Sequence, residues 1–528
     1  MSDPLPYDPT LPLPTGTVLL EASAGTGKTH QIATLTCRYI AEAGYGIGQL
    51  LLVTFGAAAT KELRSRVFAQ LSEAEQELSR AVASGRAPRG GLAAQLFARD
   101  AADRLARVRL ALDEFGKASI ATTHTFCSTM LNRLGVAADW DRSARFTADL
   151  TSLMREVADD LYVARYSHRP DPPFDLAFAR KIAAHAIGHP DELLLREDHH
   201  EEVSFAEAVR AEVSSRKSRG RIYTYDDLIH QMSSTLADPV TGPEARRRLS
   251  EAFPVVLVDE FQDTDPAQWA ILRDAFAGAS TIVLIGDPKQ SIYGFRNADL
   301  NCYLEARASA GQHFTLPANY RSDPGLVRAV NDLFDGVEFG HPQVRAFRVE
   351  PALTARRLSS ASRTDEPAVR IRMVRAPGTL DQAEAQARID ADLVAQVTDL
   401  LAHHSYDGRR LLPRDIAILV RRRSRADSIV RSLETAGIGA IFPGNEPVFA
   451  TAAAADWLTV LAAWLTPSVP MARAAALTGL VGVTIGDLAA DDGSLTARVA
   501  DQLRASARLA GEAGVFAGWQ ALRELVDA

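Results

Sequence analysis

Val18-Leu19-Leu20-Glu21-Ala22-Ser23-Ala24-Gly25-Thr26-Gly27-Lys28-Thr29 is an apolar run that enters a loop of small residues and leaves it on Lys-Thr. That order predicts a strand, a phosphate-cradling loop and a helix. Small residues let backbone N–H groups wrap a phosphate chain, Lys28 reaches its outer phosphates, and the Thr29 hydroxyl is placed to hold Mg²⁺. Ile32, Leu35, Tyr39 and Ile40 recur at helical spacing behind the loop, which turns the positive end of a helix dipole toward the anion. Ala22 stands where the general pattern has glycine, so the loop needs a conformation there that alanine reaches. Gly25 and Gly27 keep the backbone freedom nearest the phosphates. In isolation an ordinary Gly-containing turn reads the same way, and the later strand ends decide between the two.

Composition narrows the field. With 528 residues the chain is too long for one ordinary core, and two to four domains are expected. A net charge of −8 gives no global basic signal, so any nucleic-acid surface must be a local groove. Cys37, Cys127 and Cys302 are the only cysteines and form no CxxC, which excludes a disulfide framework or a cysteine-rich zinc module and fits a reducing compartment. The first fourteen residues carry no basic-then-apolar leader, and no apolar run is long enough to span a membrane. A cytoplasmic location is expected.

Leu50-Leu51-Leu52-Val53-Thr54-Phe55 predicts a second buried strand, with a small-residue turn and a helix through Val67 behind it. Glu73 to about Phe115 predicts two charged amphipathic helices broken at Ser84–Gly91. Ile120-Ala121-Thr122-Thr123-His124-Thr125-Phe126-Cys127 predicts a short strand ending in polar and aromatic residues, the position where an open α/β sheet meets its ligands. Glu197-Asp198-His199-His200-Glu201-Glu202 fits no zinc spacing and reads as a solvated loop. Tyr223 to Ile229 predicts a helix start with acidic residues in its first turn.

The second decisive stretch is Val255-Val256-Leu257-Val258-Asp259-Glu260-Phe261-Gln262-Asp263. An apolar run ending in adjacent carboxylates is what ATP hydrolysis needs opposite a phosphate loop: Asp259 for Mg²⁺, directly or through water, and Glu260 to polarise the attacking water. A third strand, Ile282 to Ile285, ends in Gly286-Asp287-Pro288-Lys289-Gln290-Ser291-Ile292-Tyr293-Gly294-Phe295-Arg296. Gln290 there is a candidate sensor of the outermost phosphate, and Tyr293 and Phe295 are candidate faces for stacking bases, with core packing as the competing reading. In Asn319-Tyr320-Arg321-Ser322 an aromatic beside an arginine suits adenine stacking plus compensation of phosphate charge.

Taken in order, these stretches resemble the motifs of superfamily 1 DNA helicases of the UvrD/RecB type, and the variants Glu21–Thr29 and Pro288–Tyr293 are most similar to the RecB branch. Glu446-Pro447-Val448-Phe449-Ala450-Thr451 and Trp464-Leu465-Thr466-Pro467 are RecB-like as well. The resemblance runs from about Leu11 onward. It implies ATP and Mg²⁺ as cofactors, with Ala22 to Thr29, Tyr320 and Arg321 on the nucleotide, Thr29 and Asp259 on the metal, and Lys28, Asp259, Glu260, Gln290 and Arg321 in catalysis. It further implies Thr54, Phe55, Thr123, His124, Phe126, Tyr293, Phe295 and Arg296 along a single-stranded DNA track, with 3′ to 5′ movement. Gly56-Ala57 replaces the usual Thr-Asn, and Phe295 stands where relatives often carry Trp. The adenine-reading glutamine that relatives carry upstream of the loop is not evident.

The fold implied is α/β: a RecA-like parallel-sheet P-loop domain over 1–130 and 222–345 with a helical insertion at 131–221, then a second RecA-like domain from 346 to 455. Within that second domain Val369–Val374 and Ile416–Val420 predict strands, Ile389 to Leu401 and Ile429 to Leu433 predict helices, and Gly437 caps the second helix. The basic run Arg421–Arg425 reads either as a phosphate contact or as a solvated loop. Residues 456–528 read as the start of a further helical insertion in which Trp457, Trp464 and Trp519 pack. After Arg321 the two further motor motifs and the nuclease domain of RecB relatives are not found, so the chain reads as the N-terminal part of a longer motor. Expected partners are single-stranded or duplex DNA ends and RecC- and RecD-like subunits or a complementing C-terminal polypeptide. Two readings remain open: a DNA-repair helicase motor, and a non-translocating ATP- and DNA-binding subunit. A P-loop kinase or transferase would need an acceptor site, and the sequence offers none.

Overall fold

A computed structural model of the chain describes residues 4–135, 145–147, 149–188, 199–360, 366–376, 378–442 and 448–523. They fall into two compact units, the first formed by 1–359 and 363–372 and the second by 360–362 and 373–528. Glu197, Asp198, Glu446 and Pro447 lie outside the described residues.

The first unit is built on strands β1 (Leu5–Pro6), β2 (Thr17–Glu21), β3 (Leu50–Thr54), β4 (Ser119–Thr122), β7 (Val255–Val258), β8 (Thr281–Gly286) and β9 (Gln312–Thr315), while β5 (Arg145–Phe146) and β6 (Ile222–Tyr223) pair separately. The seven form one sheet in the order β1-β9-β2-β8-β7-β3-β4, every pair parallel. Successive side chains of a strand face opposite ways, and here both ways are apolar. Leu19, Leu51, Val53, Val256, Val258, Ile282 and Leu284 join one core with α5 (Thr123–Leu134), α9 (Tyr225–Ala237), α10 (Gly242–Ala252), α11 (Pro266–Phe276) and α12 (Leu300–Ser309). Leu20, Leu50, Leu52, Val255, Leu257, Val283 and Ile285 join the other with α1 (Lys28–Ala41), α2 (Ala57–Ser84), α3 (Gly91–Phe97) and α4 (Ala101–Asp113). Burial on both faces is why these strands read as unbroken apolar runs. This is the RecA-like α/β fold expected.

Helices α6 (Thr151–Tyr166), α7 (Leu176–Gly188) and α8 (His200–Gly220) enclose a small core of their own around Val157, Phe174, Phe205 and Val209. His200, Glu201 and Glu202, expected in a loop, form the first turn of α8, where the acids complement the helix dipole. Capping explains the start of α9: Thr224 Oγ1 accepts from Asp227 N at 3.3 Å, and the Asp227 carboxylate accepts from Thr224 N at 2.6 Å. The stretch expected as two helices from Glu73 differs. Helix α2 continues the first run unbroken from Ala57 to Ser84, Gly85 ends it at φ 65°, and a second break at Asp100, φ 45°, separates α3 from α4. A short pair, β10 (Ala318–Asn319) with β11 (Glu350–Pro351), and helix α13 (Pro324–Phe334) complete the unit.

In the second unit α14 (Gln382–His403) packs on α15 (Arg423–Thr435) through Val397, Ile429 and Leu433. Gly437, at φ 74°, closes the end of α15 as expected. Arg423–Arg425 belong to the first turn of α15 and not to a loop. Helices α16 (Ala452–Leu465), α17 (Val469–Ala476), α18 (Ile485–Ala489), α19 (Ser494–Ala513) and α20 (Val515–Arg523) surround a second core. The Trp457 and Trp519 rings meet there at 4.8 Å, and Trp464 packs against the same core. The strands expected at Val369–Val374 and Ile416–Val420 are not formed: Ile371 is 84% exposed and Leu419 95%. A strand exists only where a neighbouring strand takes its N–H and C=O groups in a ladder, and among the described residues no such ladder runs along these two. No described helix is long and apolar enough to cross a membrane.

Candidate nucleotide and strand-binding site

The expected site residues gather where parallel strands end, at the carboxyl edge of the sheet. Strand β2 ends on Glu21, and Ala22 N donates to Gly286 O at 2.9 Å, which fastens the loop to the neighbouring β8. Ala22 is fully buried and is not among the positive-φ residues, so alanine takes the first loop position without strain. Gly25 and Gly27 lie at φ 81° and 89°, a region that L side chains reach only with strain. Thr26 Oγ1 donates to Ser23 O at 2.7 Å and rounds the loop off. Helix α1 then starts at Lys28.

Lys28 Nζ meets Glu260 Oε2 at 2.5 Å, so the loop and the carboxylates expected opposite it are one site. Asp259 N donates to Val53 O at 2.8 Å and Glu260 N to Asp259 Oδ1 at 3.0 Å. Glu260 sits at φ 51°, a costly conformation for a residue with a side chain and one that clusters at functional sites. Burial, and then the Glu260 charge, push the Asp259 carboxyl up to about 6, and the same two causes raise Asp263 to about 6. Asp263 Oδ1 is buried without a hydrogen-bond partner. Asp259 and Asp263 thus both feel the Glu260 charge, and the Lys28 ammonium partly offsets it. Among the described residues no three His, Cys, Asp or Glu side chains converge as a ligand set. An ion held here would therefore draw on phosphate and water oxygens, as Mg²⁺ does. The residues present fit Mg²⁺-nucleotide.

Asn319 and Tyr320 dock on the back of the loop. Tyr320 N donates to Gly25 O at 2.9 Å, and Asn319 Nδ2 donates to Ala24 O at 2.9 Å. A Cβ on Gly25 would stand 2.9 Å from Arg321 Cβ, so glycine is required for this approach. Asn319 Oδ1 accepts from Arg321 N and Ser322 N at 3.0 and 2.9 Å. Tyr320 is 65% exposed beside Gly27, an open ring face at the mouth of the loop. Gln290 Nε2 donates to Asp287 Oδ2 at 2.7 Å. A cavity of about 340 Å³ separates Ser23, Ala24 and Gln290 from the apolar face of α13.

Aromatic rings continue along the same edge. Phe55 stacks on Tyr293 at 5.3 Å and 29°, Tyr293 meets Phe295 at 5.7 Å, and Phe295 is 80% exposed. His124 faces Tyr225 at 5.1 Å, and burial lowers its pKa against the opposing pull of Asp226 and Asp265. Three expected track residues are buried. Phe126 is 2% exposed, and its ring packs on Phe253 and Phe276. Thr54 is buried with its hydroxyl 2.6 Å from that of Thr60, and Thr123 is buried in the first turn of α5. Phe126, held in the core, offers no face to a base. The Arg296 side chain lies outside the described residues. Asn319, Gln262, Asp287 and Tyr225 carry no site role in the sequence reading. The Asn-x-Arg-Ser order, with a short amide able to bond the backbone two residues on, is the signal that marks the first.

Comparison with known proteins agrees with this geometry. Residues 8–310 match the UvrD/REP helicase N-terminal domain family. The chain is similar to the RecBCD enzyme subunit RecB of Mycolicibacterium smegmatis, 40% identical over 97% of this chain and 48% of the relative. It is 38% identical to the subunit of the same name from Mycobacterium tuberculosis over 98% of this chain and 48% of the relative. The Escherichia coli RecB subunit is 30% identical over 53% of this chain and 25% of the relative. The chain spans about half the length of the curated mycobacterial relatives it matches.

Proposed function

The chain belongs to the UvrD/REP helicase family, and from that membership we propose that it is the ATP-driven motor portion of a RecB-type DNA helicase acting in recombinational repair of DNA ends. The observation that carries the reading is the Lys28–Glu260 contact of 2.5 Å, which joins the phosphate loop to the acidic strand end beside a run of stacked aromatics. Residues 1–130 and 222–345 are read as the first motor domain, 131–221 as its helical insertion, 346–455 as part of a second motor domain and 456–528 as a further helical insertion.

Lys28, Thr29 and Asp259 would hold Mg²⁺-ATP, the ion neutralising charge that builds on the phosphates. Without nucleotide, Lys28 is held by Glu260; turning to a phosphate, it frees the Glu260 carboxylate to accept a proton from water. Arg321 and Gln290 compensate the outermost phosphate, and Tyr320 offers its face to the base. Phe55, Tyr293 and Phe295 stack on successive bases without regard to sequence. Movement is 3′ to 5′, and the partners are DNA ends and RecC- and RecD-like subunits.

Unwinding of a duplex with a 3′ single-stranded tail against one with a 5′ tail tests this, with ATP and with Lys28→Ala as the control. ATP-dependent release from the 3′-tailed substrate alone is expected. Tight binding of ATP and of both substrates with no release would sink the motor reading in favour of a non-translocating binding subunit.

A further inference from the structure

The hydrogen bonds between Glu260 and the loop that carries Tyr293 and Phe295 run through one side chain. Gln262 is 2% exposed and uses both ends of its amide. Oε1 accepts from Asp287 N at 2.9 Å, and Nε2 donates to Glu260 Oε2 at 2.8 Å. The assignment of the two ends is forced: a backbone N–H can only donate, so the oxygen must face Asp287 and the NH₂ must face the carboxylate. Gln262 O also accepts from Ser291 Oγ at 3.2 Å. Asp287, itself 2% exposed, accepts from Lys289 N at 3.2 Å and from Gln290 Nε2 at 2.7 Å. Gly286 leaves room for the amide, since a Cβ there would stand 2.7 Å from Gln262 Oε1.

We propose that Gln262 is the positioning residue that couples the Glu260 carboxylate to the strand-contact loop 287–295. This rests on the reading of the chain as an ATP-driven motor. Lys28 and Gln262 hold the same oxygen of Glu260; once Lys28 engages a phosphate, the buried amide is what fixes that oxygen. The same amide is clamped to Asp287 N, and the Gln262 backbone carbonyl to Ser291 Oγ, so a shift of the loop when Tyr293 and Phe295 take up a strand moves Gln262 and with it the carboxylate. Glu260 alone could hydrolyse ATP; the link through Gln262 makes its rate depend on DNA.

The test uses Gln262→Met, which keeps length and burial and removes both polar ends, and Gly286→Ala, which crowds the amide from the sheet. ATP hydrolysis is measured with and without oligo(dT), together with KM for ATP and the affinity for oligo(dT). One buried charge-assisted hydrogen bond is equivalent to about tenfold in rate, so the factor by which oligo(dT) stimulates hydrolysis should fall about tenfold in both variants while KM and oligo(dT) affinity stay within about twofold. A merely structural role would instead move all three quantities together, and that result overturns the proposal. Stimulation at the wild-type factor in Gln262→Met overturns it too. A wild-type chain with no DNA-stimulated hydrolysis removes the functional reading and this inference with it.

Discussion

Asp259→Asn should stabilise the nucleotide-free first unit while abolishing its chemistry. Burial and the neighbouring Glu260 raise the carboxyl from 3.8 to about 6. An acid whose folded pKa lies above its unfolded one weakens the fold as pH rises between the two values, and the loss is complete above the higher one. At 1.36 kcal/mol per tenfold, the rise corresponds to about 3 kcal/mol above pH 6 and roughly half that at pH 5. Asparagine removes the charge and keeps the oxygen that accepts from Glu260 N. Urea unfolding in EDTA, read by pulse-labelling hydrogen exchange in the peptide that covers Val255–Val258, isolates the first unit. The variant should exceed the wild type by about 2–3 kcal/mol at pH 8, with the gap narrowing by about half at pH 5. Equal stability at pH 8, or a gap that does not narrow in acid, would refute the reasoning. ATP hydrolysis by the same variant should fall to background.

Asn319→Asp keeps the acceptor for Arg321 N and Ser322 N but sets a carboxylate oxygen against Ala24 O; the loss of one buried bond should cost about 1–3 kcal/mol, read as faster hydrogen exchange in the peptide spanning residues 315–325 and weaker ATP binding. Phe55→Ala removes one face of the stacked pair and should weaken oligo(dT) binding by about 1–3 kcal/mol, measured by fluorescence anisotropy, with KM for ATP unchanged. Leu419→Lys should change the stability of the second unit by less than about 0.5 kcal/mol, because Leu419 is 95% exposed while Ile416, Ile418 and Val420 carry the packing against α14 and α15; a large loss in urea unfolding would mean that Leu419 itself is packed.

Strands β2, β3, β7 and β8 were legible because each is buried on both faces and so reads as an unbroken apolar run between polar ends. Their order in the sheet was not, since interchangeable apolar runs carry no pairing code. The link between Lys28 and Glu260 followed from chemistry, not from spacing. Phe126 was misread although the signal was present: Phe126, Cys127, Met130, Leu131 and Leu134 are apolar at helical spacing, which makes Phe126 part of the buried face of α5. For Ile416–Val420 the run is apolar, but strand formation depends on a partner that no local pattern reveals. Gln262 escaped notice because its role lies in two contacts, one of them with a residue 25 positions away.

The most direct measurement of the central claim is ATP hydrolysis by this chain with and without single-stranded DNA, using Lys28→Ala and Glu260→Gln as controls. Hydrolysis that DNA stimulates and that both substitutions abolish is the result predicted, because the phosphate loop, the carboxylates and the aromatic row share one sheet edge. ATP and DNA binding with no turnover, or turnover indifferent to DNA, would contradict it.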